Sequence, residues 1–181
     1  MKTHIIDTTI PRLGKPKILS PIQDESTKFN RNFVTDQDRV LINVDVKTLK
    51  QAIKSGEEIS SFEQAGPRSK IYFDPSKLRC GLVTCGGLCP GLNDIIRSIV
   101  LELYYGYGVR NICGIRYGLQ GLIPKYGHEI IELRPALVAT ILNLGGSILG
   151  SSRGPQPIDE IVGSLERMNI EILFMIGVME P

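Results

Sequence analysis

The stretch 80-CGLVTCGGLCPGLNDIIRSIV-100 decides how the rest of the chain is read. Its first part, 81-GLVTC-85, suits a buried strand, and its last part runs on into 92-LNDIIRSIVLELYY-105, where Leu92, Ile95, Ile96, Ile99, Val100 and Leu103 fall on one helical face. Between them lie Gly86, Gly87, Pro90 and Gly91. A strand that passes through glycines into a helix lets backbone approach a ligand and turns the positive end of the helix dipole on it, which favours an anion. Pro90 is expected in the first turn, where its missing N–H is spare. Gly86 and Gly91 fit G-x-x-x-x-G, but Leu92 and Asn93 follow where a Walker loop needs Lys and Ser or Thr. The adjacency of Gly86 and Gly87 also breaks G-x-G-x-x-G, and no acidic residue ends 109-VRNICGIR-116 to hold a ribose. A nicotinamide-dependent oxidoreductase is therefore disfavoured.

On the carboxyl side, 109–116 reads as a second strand, followed by the glycine-punctuated 117-YGLQGLIPKYG-127 and a short strand at 128-HEIIEL-133. A helix is expected over 134-RPALVATILNL-144, stopped by Gly145 and Gly146, and another over 158-IDEIVGSLERMN-169, whose first-turn acids complement the helix dipole. The final strand, 170-IEILFMIG-177, is apolar enough to be covered on both faces, yet as the last element it is expected to be a sheet edge without a covering helix. This alternation implies an α/β fold, a parallel sheet with helices on both sides and ligands at the carboxyl ends of its strands. The loops after Val83 and after Ile148, and the break at Gly177, are then expected along one rim. In 145-GGSILGSSRGPQP-157, Arg153 stands beside Ser151, Ser152 and Gly154, and charge-assisted contacts from such an Arg to phosphoryl oxygens are worth roughly 1.5–3 kcal/mol each.

Residues 1–79 differ in texture. Pro11, Pro16, Pro21, Gly56, Gly66, Pro67 and Pro75 interrupt short apolar pieces such as 39-RVLINV-44, and one short helix is expected around 47-KTLKQAIKSG-56. We read 1–79 as an irregular extension with little core of its own and 80–181 as the α/β lobe. The 181 residues carry a formal charge of +2 without a basic block, so nucleic acid is not expected as a partner. No h-region opens the chain and no window of about 18 apolar residues occurs, so neither export nor a membrane is indicated. Cys80, Cys85 and Cys89 are spaced C-x4-C-x3-C, without the close pairs of a zinc site, and with Cys113 they are read as packed thiols in a reducing compartment.

The string 65-AGPRSKIYFDPSKLRCGLVTCGGLCPGLND-94, together with 114-GIRYGLQGL-122, 145-GGSILGSSRG-154 and 170-IEILFMIG-177, resembles the amino-terminal part of the 6-phosphofructokinases over about residues 58–177. The nearest resemblance is to the atypical ATP-dependent branch that is grouped by sequence with the pyrophosphate-dependent enzymes. It implies the Rossmann-like amino-terminal half-lobe of the phosphofructokinase fold. It also implies a glycolytic, cytoplasmic homodimer or homotetramer that uses ATP and Mg2+ to phosphorylate fructose 6-phosphate at O1. By the same resemblance Gly86 and Gly87 would pack against the nucleotide phosphates, while Arg153 with Gly154 would meet ATP, the Arg bridging toward the transferred group. Leu119 stands where some members stack a Tyr on adenine, and Arg97 matches an effector-binding residue whose basic neighbour one turn later is here Leu101. After Gly177 the family continues G-D-G-T, whose Asp helps hold Mg2+, and later T-I-D-N-D, whose Asp is the general base. This chain reads Val178, Met179, Glu180, Pro181, taken as a foreign or frame-shifted tail. No catalytic residue and no metal ligand are therefore assigned, the sugar-phosphate lobe is absent, and the isolated chain is expected to be inactive. A pyrophosphate donor, or a non-catalytic binding or regulatory fragment, are the alternatives.

Overall fold

A computed structural model describes residues 7–23, 32–57 and 59–177, so His4 and the 178–181 tail lie outside the described residues. The chain divides into two compact units, Met1–Phe73 and Asp74–Pro181.

The first unit holds two small antiparallel sheets. Strand β1 (Ile18–Leu19) pairs with β4 (Lys70–Ile71), and β2 (Arg39–Leu41) pairs with β3 (Ser61–Glu63). Between β2 and β3 runs helix α1 (Val46–Ser55). Its start is set by Asp45, whose carboxylate accepts from the Thr48 amide at 2.8 Å, and its end by Gly56, whose φ of 69° closes the last turn. None of its residues is buried. In β3, Glu63 takes hydrogen bonds from Arg68 at 2.6 Å and Arg12 at 2.7 Å, and these guanidiniums, Arg68 foremost, hold its carboxyl below the usual carboxylate range.

The second unit is built on a four-stranded sheet in the order β7-β6-β5-β8. Strand β5 (Arg79–Thr84) is parallel to both β6 (Asn111–Ile115) and β8 (Ile172–Ile176), while β7 (Ile130–Glu132) runs antiparallel to β6. Side chains alternate across these strands. Val83 and Ile115 point to one face, where they form a buried cluster with Leu122, and Ile161 and Leu165 of helix α4 (Ile158–Arg167) pack on it with Leu173 of β8. Gly114 faces the other way, and a side chain there would meet Leu149, Ile131 and Leu133.

Helix α2 (Leu92–Leu101) follows β5, and α3 (Pro135–Val138) follows β7. Four expectations need correction. Pro90 precedes the helix cap, which is Gly91 at φ 91°, rather than lying in the first turn. Beyond Leu101 the helix widens into a π-turn over Glu102–Gly106, closed by the Tyr107 amide donating to the Glu102 carbonyl at 3.0 Å, and Ile95 is 46% exposed. The buried stripe is rotated toward Asn93, Ile96 and Val100, because the Asn93 amide is drawn inward by backbone partners. The helix over 134–144 is broken: α3 stops at Val138 and a 3-10 turn over Ile141–Asn143 follows, bringing the Leu144 carbonyl to Asn93. Lastly, β8 is the outermost described strand on its side, with Met175 48% exposed, so it is not covered on both faces. It does not lack a helix either, since Leu173 lies with α4.

Candidate functional site

The three parallel strands deliver their carboxyl ends to one edge, and the loops leaving them are bonded to one another. The Cys85 amide, just past β5, donates to the Ile176 carbonyl of β8 at 2.8 Å. Gly86 is tied twice to the second glycine loop: its amide donates to the Ser152 carbonyl at 3.2 Å, and its carbonyl accepts from the Ser151 hydroxyl at 2.6 Å. Thr84, the last residue of β5, shares a hydrogen bond with the Ser147 hydroxyl at 2.8 Å and donates to the Gly150 carbonyl. From β6, the Tyr117 amide reaches the Leu149 carbonyl at 2.8 Å. At Gly177 a side chain would collide with the Cys85 carbonyl oxygen, so glycine is what lets the end of β8 close on the β5 loop.

Asn93 fastens the opening of α2 to the same loop. Its side-chain nitrogen donates to the Leu144 carbonyl and its oxygen accepts from the Ile148 amide, both at 2.9 Å, and the residue is buried. The start of α2, capped by Gly91 without a side-chain hydrogen bond, is thereby held beside Gly146, whose missing Cβ would lie 3.8 Å from Leu88. The orphan amides of that first turn and its dipole present positive charge, opposed by the Asp94 carboxylate in the same turn, 3.9 Å from the side-chain position of Gly91.

Of the residues singled out in the sequence, Gly86, Gly87 and Arg153 converge. A Cβ at Gly87 would meet only the Arg153 guanidinium nitrogen, at 3.8 Å, and Arg153 itself is exposed, with no hydrogen bond or ion pair to any described residue. Gly154 follows at φ 86° with open space where its side chain would be. The geometry is a gap with backbone on one side and a guanidinium on the other, which suits an anion. Arg97 lies on α2, its Nε buried without a hydrogen-bond partner among the described residues, and Leu119 packs against the Val83 cluster. Ser151, expected beside Arg153, turns its hydroxyl to the Gly86 carbonyl, while Thr84, Asn93 and Ser147 carry no such expectation from the sequence. For Asn93 a signal exists, since an amide lies three residues before Ile96 and seven before Val100, inside an apolar stripe.

Neither glycine loop, 85–91 or 145–157, contains a carboxylate or a histidine. Among the described residues no group of three His, Cys, Asp or Glu is placed to hold a metal ion. Burial pushes the Cys85 thiol up, so it stays neutral at pH 7 and is a poor nucleophile.

The family model described as "Phosphofructokinase" matches residues 79–180. An ATP-dependent 6-phosphofructokinase of Amycolatopsis methanolica is 42% identical over 179 residues, 98% of this chain and 39% of its own length, and one of Trypanosoma brucei brucei is 50% identical over 115 residues, 64% of this chain and 24% of its own. The chain thus spans about two fifths of the first of these relatives and less of the second. Among solved structures, the phosphofructokinase of Saccharomyces cerevisiae superposes with a TM-score of 0.48 at 20% identity, covering 58% of this chain and 14% of that one.

Proposed function

Because the chain belongs to the phosphofructokinase family, we propose that it forms the phosphoryl-donor side of an ATP-dependent 6-phosphofructokinase, the glycolytic enzyme that transfers the γ-phosphoryl group of ATP to O1 of fructose 6-phosphate. The observation that carries this reading is the closure of two glycine loops on each other, with the Arg153 guanidinium 3.8 Å from the empty side-chain position of Gly87. Phosphoryl transfer asks a protein chiefly to position the donor and to stabilise charge on the moving group. Gly86 and Gly87 leave room for the phosphate chain, the first turn of α2 adds a positive dipole end, and Arg153 adds a full charge facing the loop.

Magnesium ion belongs to the reaction so proposed, where it would shield the donor phosphates; no ligand for it is assigned among the described residues and no step is assigned through it. The proton acceptor for the sugar hydroxyl is likewise not among the loop residues. The 181-residue chain alone is therefore expected to bind donor phosphates without making fructose 1,6-bisphosphate. ATP is preferred over pyrophosphate as the donor because the relatives matched above are named ATP-dependent. A cytoplasmic homo-oligomer is part of the same proposal; no described helix is long and apolar enough to cross a membrane. The test is calorimetric titration of the folded chain with ATP, pyrophosphate and fructose 6-phosphate, beside a coupled assay with Mg2+. Saturable ATP binding without turnover is expected. Absence of binding by both ATP and pyrophosphate would overturn the donor-site reading, and measurable bisphosphate formation would overturn the prediction of inactivity.

A further inference from the structure

Thr84 ends β5 with its side chain on the sheet face opposite that of Val83, enclosed to 1% exposure. Its hydroxyl lies against two parts of one turn, the Ser147 hydroxyl at 2.8 Å and the Gly150 carbonyl, to which it donates. A hydroxyl carries a single proton. With that proton on Gly150, the Thr84 oxygen has to accept from Ser147, whose own oxygen accepts from the Leu149 amide at 3.1 Å. The contacts therefore run one way, from the Leu149 amide through Ser147 and Thr84 to the Gly150 carbonyl. This chain begins and ends in the same turn, and Thr84 is its one member on the sheet.

The turn is held from other sides as well. The Gly150 amide donates to the Ser147 carbonyl at 3.0 Å, and the Ile148 amide to the Asn93 side chain at 2.9 Å. The Tyr117 amide donates to the Leu149 carbonyl at 2.8 Å from a left-handed backbone, at φ 59°. These bonds fasten the turn to α2 and to the end of β6, and the bond through Thr84 fastens it to β5. Gly86 and Gly87 follow Thr84 by two and three residues, while Arg153 follows Gly150 by three. Between Gly150 and Arg153, Ser151 and Ser152 are bonded to Gly86. Both sides of the gap thus grow from one buried hydroxyl. Arg153, exposed on a long side chain, loses rotamer freedom when it takes a phosphate, and a fixed backbone beneath it limits what else must be ordered.

We propose that Thr84 is a positioning residue for the donor phosphates: its hydroxyl holds the backbone that carries Arg153 against the strand that carries Gly87, and it touches no ligand itself. The proposal rests on the donor-site reading above and deepens it, by naming what keeps the two sides of that site in register.

A double-mutant cycle on the full 181-residue chain tests it, read by calorimetric titration with ATP and with inorganic tripolyphosphate. Thr84→Val keeps the branched shape of threonine and cannot join the chain of hydroxyls, whereas Thr84→Ser keeps the hydroxyl. Thr84→Val is expected to weaken both ligands about three- to tenfold, as the loss of an ordinary hydrogen bond would, and Thr84→Ser to stay within about twofold of the unaltered chain. Added to Arg153→Ala, Thr84→Val is expected to weaken them no further, because the two residues act as one unit. A purely structural threonine would lower the melting temperature and leave the affinity of the folded chain alone. Ser147→Ala breaks the same chain one bond earlier, at a half-buried residue, and takes the place of Thr84→Val if thermal unfolding shows that variant unfolded. Unchanged affinity in the folded variant, or equal losses with and without Arg153, overturns the positioning role and leaves the donor site standing. If the unaltered chain binds neither ligand, the donor site falls and the positioning role with it.

Discussion

Truncation of Asn93 to alanine probes the joint on which the loop cluster depends. The change removes two hydrogen bonds of 2.9 Å from a buried residue, one to the Leu144 carbonyl and one from the Ile148 amide. A bond of this kind contributes about 0.5–1.5 kcal/mol net, and a backbone group left buried and unpaired costs about 1–3 kcal/mol. Leu144 stands at the surface, where water can replace the lost donor, so its share belongs near the lower bound. Ile148 is half-buried and carries most of the penalty. The sum is about 2–3 kcal/mol, to be read as a lowered denaturant midpoint at unchanged slope in urea unfolding followed by circular dichroism. Asn93→Asp sharpens the test. Its oxygen still accepts from Ile148, but at pH 7 a carboxylate faces the Leu144 carbonyl where a donor stood. The protonated acid can donate there, so the folded-state pKa should be raised. Relative to the unaltered chain, this variant's stability is present below the ordinary carboxylate pKa and lost as pH rises through the raised one. If Asn93→Ala stays within about 0.5 kcal/mol of the unaltered chain and Asn93→Asp shows no such pH trend, the joint has no energetic role.

Further outcomes follow from single contacts. Arg153→Ala is expected to weaken ATP and tripolyphosphate binding alike, by about 10- to 100-fold for one lost charge-assisted contact, at unchanged melting temperature; calorimetry checks this, and an unchanged affinity contradicts the placement of Arg153 on the phosphates. Gly177→Ala drives a methyl into the Cys85 carbonyl at a φ of 136°, and a loss of about 1–3 kcal/mol is expected in the same urea assay. Cys80 is fully buried and its thiol is pushed up to about 12, with desolvation as the main cause. Its contribution to stability is therefore intact below pH 9, where the unfolded thiol is protonated, and declines as pH rises toward about 12; Cys80→Ala removes that part of the decline. Under native conditions a maleimide should label the exposed Cys89 and spare Cys80 and Cys113, as peptide mass spectrometry would show.

Strands β5 and β8 were readable in the sequence as short apolar runs, and helix α4 by the acids of its first turn. The shared rim was readable too, since parallel strands joined by crossovers bring their carboxyl ends to one edge. The apolar spacing of 134–144 is helical, but the chain breaks between Val138 and Ile141, and nothing local in the sequence marks that break. Thr84 and Ser147 could not be told from ordinary strand and turn residues, because a buried hydroxyl and a solvated one look alike until the loops meet. Tyr117 escaped notice for a related reason: tyrosine is a strand former by propensity, and nothing local announces a left-handed backbone.

The pairing of β8 with β5 also dictates an order of events. Cys80 and Cys113, on the adjacent strands β5 and β6, are 33 residues apart, whereas the bond from the Arg79 amide to Glu171, at the start of β8, spans 92. Closing the longer loop costs about 1 kcal/mol more chain entropy than closing the shorter. The β5-α2-β6 crossover can therefore form while β8 is still unmade at the ribosome. The contact between Cys85 and Ile176 waits for β8, so the first glycine loop is joined to that strand only after the β5-β6 pairing is within reach.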